Sequence, residues 1–88
     1  MRLTELEKTI LIAFYTLSGG STRRYVAKET LLKKFPMRNR KTVRKYVDEL
    51  EKKKLIIKHA KTESYRLNKK AVKQVVSFIL TGATIRVS

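Results

Sequence analysis

The 88-residue chain carries 22 Lys and Arg against 7 Asp and Glu, a net charge of +15, and has no cysteine. That length supports one domain with a modest core, and the missing cysteines exclude disulfides, thiolate nucleophiles and thiolate metal sites. The charge, all of it in excess after Gly20 because Arg2 and Lys8 balance Glu5 and Glu7 before it, points to a polyanionic partner.

In chain order, the first predicted helix runs from Leu3 or Thr4 to Leu17 or Ser18. Thr4 and Glu7 have the spacing of a capping box, and Ser18-Gly19-Gly20-Ser21 ends the helix. Leu6, Ile10, Ala13, Phe14 and Leu17 make its core stripe, while Leu11, Ile12 and Tyr15 lie elsewhere on the same helix. An element apolar on more than one face is expected to be buried on two sides. Residues 22–26 suit a short extended segment. A second helix is expected over 27–35, with Leu31, Leu32 and Phe35 facing inward, Pro36 as its stop and no good cap at its start.

The stretch 39–67 has the clearest pattern. Val43, Val47 and Leu50 fall at i, i+4, i+7 with Tyr46 on the flank, so a helix over 39–54 is expected, with Asn39 as its cap. At about 100° per residue, Lys41, Lys45 and Asp48 point away from that stripe, with Thr42 and Arg44 on its shoulders. From Leu55 the period becomes strand-like, giving strands over 55–59 and 64–67 joined by 60–63. Asn68 can cap a last helix over 69–80, in which Val72, Val75, Val76 and Ile79 form one stripe and Ala71, Phe78 and Leu80 widen it.

The run NRKTVRKYVDELEKKKLI resembles the recognition helix of winged helix-turn-helix DNA-binding proteins: Thr42-Val43 opens the helix, Leu50-Glu51 stands near its end and Leu55-Ile56 begins the wing. The resemblance spans Thr4 to Leu67. It departs where the family usually has Gly, at Lys54, and where it has a small polar residue closely preceded by an apolar one, at Asn39, for which Met37 is the nearest apolar anchor. The resemblance implies an α+β, mainly α fold: a three-helix core plus a β-hairpin wing, with an additional C-terminal helix. The domain would cover 1–80, leaving 81–88 as a tail, and the segment at 22–26 would pair with the wing.

A helix of this kind fits the major groove of B-DNA, where base edges carry a readable pattern. The candidates for DNA contact are Arg38 and Arg40 on flanking phosphates, Lys41, Thr42, Arg44 and Lys45 on base edges and adjacent phosphates, and Lys58 and Lys61 on the wing. Arg44 is the choice for a guanine because a guanidinium can donate two parallel bonds. Thr42 could instead turn to the helix backbone. Asp48 suits an i, i+4 pair with Arg44 or Lys52, and Lys52-Lys53-Lys54 a solvated helix end. His59, Arg66, Arg23 and Arg24 add charge near the wing, and the four tyrosines read as core or rim residues.

The excess apolar surface on the first and last helices suggests that they pack on each other and on a second copy, with Leu11, Ile12, Tyr15, Phe78 and Leu80 at the dimer interface. The other possibility is that residues 81–88 fold back and cover it. The lone His59 and the absence of Cys leave no ligand or nucleophile set, so the expectation is a non-enzyme without cofactor or metal. With no apolar run of membrane-spanning length and no leader-peptide pattern, it is expected in the cytoplasm. The expected function is sequence-specific double-stranded DNA binding as a homodimeric transcriptional regulator. An RNA-binding or architectural role, or a protein-interaction adaptor on the same fold, would also accommodate the charge or the fold.

Overall fold

The computed structural model describes residues 3–87, with side chains placed for 3–80. The fold is α+β and mainly helical. Helices α1 (Glu5–Leu17), α2 (Lys28–Leu32), α3 (Arg40–Lys52) and α4 (Lys69–Val87) accompany a small sheet of β1 (Val26–Ala27), β2 (Ile56–Lys58) and β3 (Ser64–Leu67).

Helix α1 begins on the expected capping box. The Glu7 N–H donates to Thr4 Oγ1 at 3.1 Å, and the Thr4 N–H donates to Glu7 Oε1 at 3.0 Å. It ends at Ser18, where Gly19 and Gly20 turn left-handed with φ of 64° and 79°. The N–H groups of those two glycines donate back to Thr16 and Tyr15, satisfying carbonyls that a helix end would otherwise strand. Its buried stripe is Ile10, Leu11 and Phe14, so Leu11 belongs to the chain's own core rather than to the dimer interface at which it was expected.

The second helix is shorter than expected. Lys34 and Phe35 N–H groups donate to Leu31 and Leu32 carbonyls in a tightened turn, because Phe35 precedes Pro36 and is steered away from helical backbone. A 3-10 turn over Met37–Asn39 leads into α3. Asn39 does not cap: its backbone is already helical, and its side chain makes no cap bond. Met37 is not the apolar anchor either, being 77% exposed, whereas the half-buried Phe35 packs against the core.

Helix α3 buries Val43, Val47 and Leu50 as expected. Past its end Lys54 takes φ of 62°, and the Lys54 and Leu55 N–H groups donate to the Glu51 and Leu50 carbonyls. This is the same left-handed closure that glycine serves after α1, here made by a lysine. Leu50 and Leu55, both fully buried, supply the apolar contact that accompanies it.

Strand β3 is central, with β1 and β2 antiparallel on its two sides. The β1 pairing of Val26 with Tyr65 and Ala27 with Ser64 answers the expected extended segment, displaced to the end of 22–26. Alternation sends Val26, Ile56, Tyr65 and Leu67 into the core, where the Phe14 and Tyr65 rings meet edge to face at 6.2 Å.

Asn68 joins the hairpin to the last helix. Its Oδ1 accepts from the Lys70 N–H, its Nδ2 donates to the Lys54 carbonyl at 2.9 Å, and its N–H donates to Leu55. Helix α4 packs on α1 through Ala71, Val75 and Phe78. Val76 and Ile79, expected in the core stripe with Val75, are instead 39% and 47% exposed. The helix also continues to Val87, so 81–87 extend it rather than folding back over the domain. No helix among the described residues is long and apolar enough to cross a membrane.

Candidate nucleic-acid interface

The inward stripe of α3 determines what its opposite side presents. With Val43, Val47 and Leu50 fully buried, Lys41, Thr42, Arg44, Lys45, Asp48 and Lys52 are all exposed. Arg38 is exposed on the preceding 3-10 turn. The side chains of Arg38, Lys41 and Lys45 have no ion-pair or hydrogen-bond partner among the described residues, while Lys52 pairs with Glu49 at 3.7 Å. The result is a cationic ridge along the outer side of α3, in which Lys41 and Lys45 form no ion pair among the described residues.

Two of the expected contact residues are engaged elsewhere. Arg40 is half-buried and turned toward α2, its Nε donating to the Leu32 carbonyl at 3.1 Å and the Phe35 carbonyl at 3.4 Å. The Leu32 carbonyl also accepts from the Phe35 N–H, so Arg40 adds a second donor there and ties the start of α3 to the turn that follows α2. Arg44 Nη2 lies 3.4 Å from Glu29 Oε1. Both side chains are more than half exposed, so this pair is weak, on the order of 0.5 kcal/mol, and can yield to another anion.

Asp48 reaches across to Lys28 at 3.9 Å instead of pairing along its own helix with Arg44 or Lys52. The largely buried Lys28 also lies over the Tyr65 ring at 5.9 Å. Lys53 likewise is not part of a solvated helix end. Its Nζ donates to Glu7 Oε2 at 2.6 Å, and Glu7 is only 2% exposed. Burial alone would raise the Glu7 pKa; the Lys53 ammonium and the bonds from Thr4 outweigh it and hold the carboxyl below its ordinary value.

On the hairpin, Lys58 and Lys61 are exposed, and Lys61 sits in the 60–63 connection. The Lys61 N–H donates to His59 Nδ1 at 3.1 Å, which orders the tip. Arg66 projects from the side of the sheet away from the helices, with Nε donating to Tyr25 Oη at 3.3 Å and Nη1 to the Thr22 carbonyl at 3.2 Å. The rings of Tyr25 and His59 meet edge to face at 4.8 Å. Tyr25 is 41 residues from Arg66 in sequence, and the β1–β3–β2 order of the sheet brings it beside the hairpin that carries His59 and Arg66. Tyr25, read as a rim or core residue, is 40% exposed.

The expected dimer residues divide. Leu11 is fully buried within the chain and is withdrawn from any interface. Ile12 and Phe78 are half-buried against their own core, with Lys8 over the Phe78 ring at 5.4 Å. Tyr15 lies against the Gly20 turn, where an added Cβ would stand 3.3 Å from its ring. Leu80 is exposed. No group of three or more His, Cys, Asp or Glu that could hold a metal occurs among the described residues. Compared with known proteins, the chain matches no family model, no curated protein and no solved structure.

Proposed function

We propose that this protein is a winged helix-turn-helix protein that binds double-stranded DNA, with α3 in the major groove and the β2–β3 hairpin beside the duplex. The observation that carries the reading is the ridge of Arg38, Lys41 and Lys45 on the outer side of α3, unpaired among the described residues. An α-helix fits the groove, and long cations on its outward side reach both base edges and flanking phosphates. The order of elements is compatible with a helix-turn-helix made by α2 and α3 and a wing made by β2 and β3. Lys61, at the hairpin tip, is the wing residue best placed to meet phosphate.

Arg44 reads a base by exchanging Glu29 for a guanine, a trade that the weak surface pair permits. Arg40 supports the interface from behind by fixing α3 on α2. The protein acts in the cytoplasm as a homodimeric transcriptional regulator, its copies meeting along the outer side of α4. A two-fold arrangement would place two α3 helices about one helical turn apart on a roughly palindromic site.

Selection from a random pool of duplex DNA at near-physiological salt tests this. Enrichment of a palindrome is expected, with half-site spacing set by the dimer. Tight, steeply salt-dependent binding without enrichment would instead mean that the ridge contacts only the backbone, and would favour an architectural role.

A further inference from the structure

The outer side of the sheet holds a feature that duplex binding does not use. Alternation turns Tyr65 and Leu67 into the core and leaves Arg66 on the opposite side, beside its cross-strand partner Ile57. Tyr25 precedes Val26 of β1, and His59 follows β2, so both fall on this outer side. The Arg66 guanidinium lies 6.0 Å from the centre of the Tyr25 ring and donates to its hydroxyl and to the Thr22 carbonyl. The His59 ring stands at 79° to that of Tyr25 and is held by the Lys61 N–H.

We propose that Tyr25, His59 and Arg66 form a stacking platform for an unpaired nucleotide, and that its ligand is a single-stranded extension of the DNA duplex bound by α3. Nucleobases stack on aromatic rings and on guanidinium planes alike, without needing a particular sequence. The three groups are fixed by one another before any ligand arrives, so stacking requires little ordering of the protein. Cations for the connecting phosphates stand beside them: Arg23 and Arg24 next to Tyr25, and Lys58 and Lys61 on either side of His59, all exposed. The hairpin's single carboxylate is Glu63. Lys61 belongs both to this group and to the tip expected beside the duplex, so a strand leaving the duplex there meets the platform directly.

The inference rests on the nucleic-acid reading above, and the test separates the two. Fluorescence anisotropy would compare a labelled blunt duplex with the same duplex carrying a short single-stranded extension, on the wild type, Tyr25→Ala and Tyr25→Phe. A 2-aminopurine in the extension reports stacking. The wild type is expected to bind the extended duplex about tenfold tighter, near the lower end of what one stacked base contributes, with quenching of the 2-aminopurine. Tyr25→Ala should lose that preference and the quenching while keeping its affinity for the blunt duplex. Tyr25→Phe, which retains the ring but not the bond to Arg66, should keep most of both.

Equal wild-type affinity for the two probes would overturn the platform and leave duplex binding standing. So would a Tyr25→Phe that loses the preference as fully as Tyr25→Ala, because the tyrosine would then serve only to anchor Arg66. Binding confined to the extension, with no affinity for the blunt duplex, would support the platform and overturn the duplex reading.

Discussion

Lys54 occupies a backbone position that suits glycine. Its φ of 62° places a Cβ in the left-handed region, where a non-glycine residue is disfavoured by about 1 kcal/mol, yet the turn needs that conformation for Leu55 to reach the Leu50 carbonyl. Lys54→Gly should therefore stabilise the fold by about 0.5–1 kcal/mol, measured as a higher urea midpoint at unchanged slope. The position was legible from the wing resemblance as one where glycine is usual; the sequence alone could not say that the lysine would adopt glycine's conformation. Glu7 and Lys53 present the opposite case, because 46 residues separate them and no local period links them. Removing Lys53 leaves a buried carboxylate without its cation, so Lys53→Met should cost about 3 kcal/mol at neutral pH. The pH dependence follows from the lowered Glu7 pKa: the unfolded chain binds its proton more readily, so the pair's stabilisation is full above the ordinary carboxylate pKa and fades as pH falls through the folded value. In Lys53→Met burial acts on Glu7 unopposed by that ammonium. The gap between wild type and variant should accordingly shrink in acid, as thermal melts across that range would register; a gap that stayed constant would count against the pair.

At the scale of elements, periodicity located the helices and the hairpin, while their ends were set by turn chemistry. Helix α3 was legible because Val43, Val47 and Leu50 face one core, whereas α2 stopped early because Pro36 acts through Phe35, one residue before the proline itself. The exposed side of α3 could be read from the angle of its cations, but which of them remained unpaired could not. That depends on α2, whose Glu29 and Lys28 reach Arg44 and Asp48 only after the two helices dock. The platform of Tyr25, His59 and Arg66 was hidden for the same reason, since register and not sequence distance assembles it. Glu29→Gln isolates what the docking does to Arg44. Stability should fall by less than about 1 kcal/mol because the pair is exposed, while affinity for duplex DNA should rise as a carboxylate leaves the rim of the ridge. Arg44→Ala should flatten base preference at one position of each half-site, and Lys61→Ala should weaken all sequences alike; equal losses across sequences for both would refute the separation of base-reading and backbone-holding roles.

For the molecule as a whole, the field and the assembly are separable. Each phosphate neutralised contributes about 0.9 to the slope of log affinity against log salt, so replacing Lys41 and Lys45 together by alanine should lower that slope by nearly two, whatever the oligomeric state. The proposed dimer would depend instead on α4. Its inner side is occupied by Ala71, Val75 and Phe78, and Val76 and Ile79 are left three residues apart on the outer side, where a second copy of the helix can lie against them. Val76→Glu combined with Ile79→Glu should leave the domain folded, because neither side chain is in the core, and should convert a dimer into a monomer in sedimentation equilibrium. On DNA the same variant should bind a single half-site with unchanged affinity and lose the gain from a second half-site. If the wild type itself sediments as a monomer, free and on a palindromic duplex, the two-fold arrangement fails, while the α3 ridge still stands as the contact surface of a protein that binds one half-site at a time.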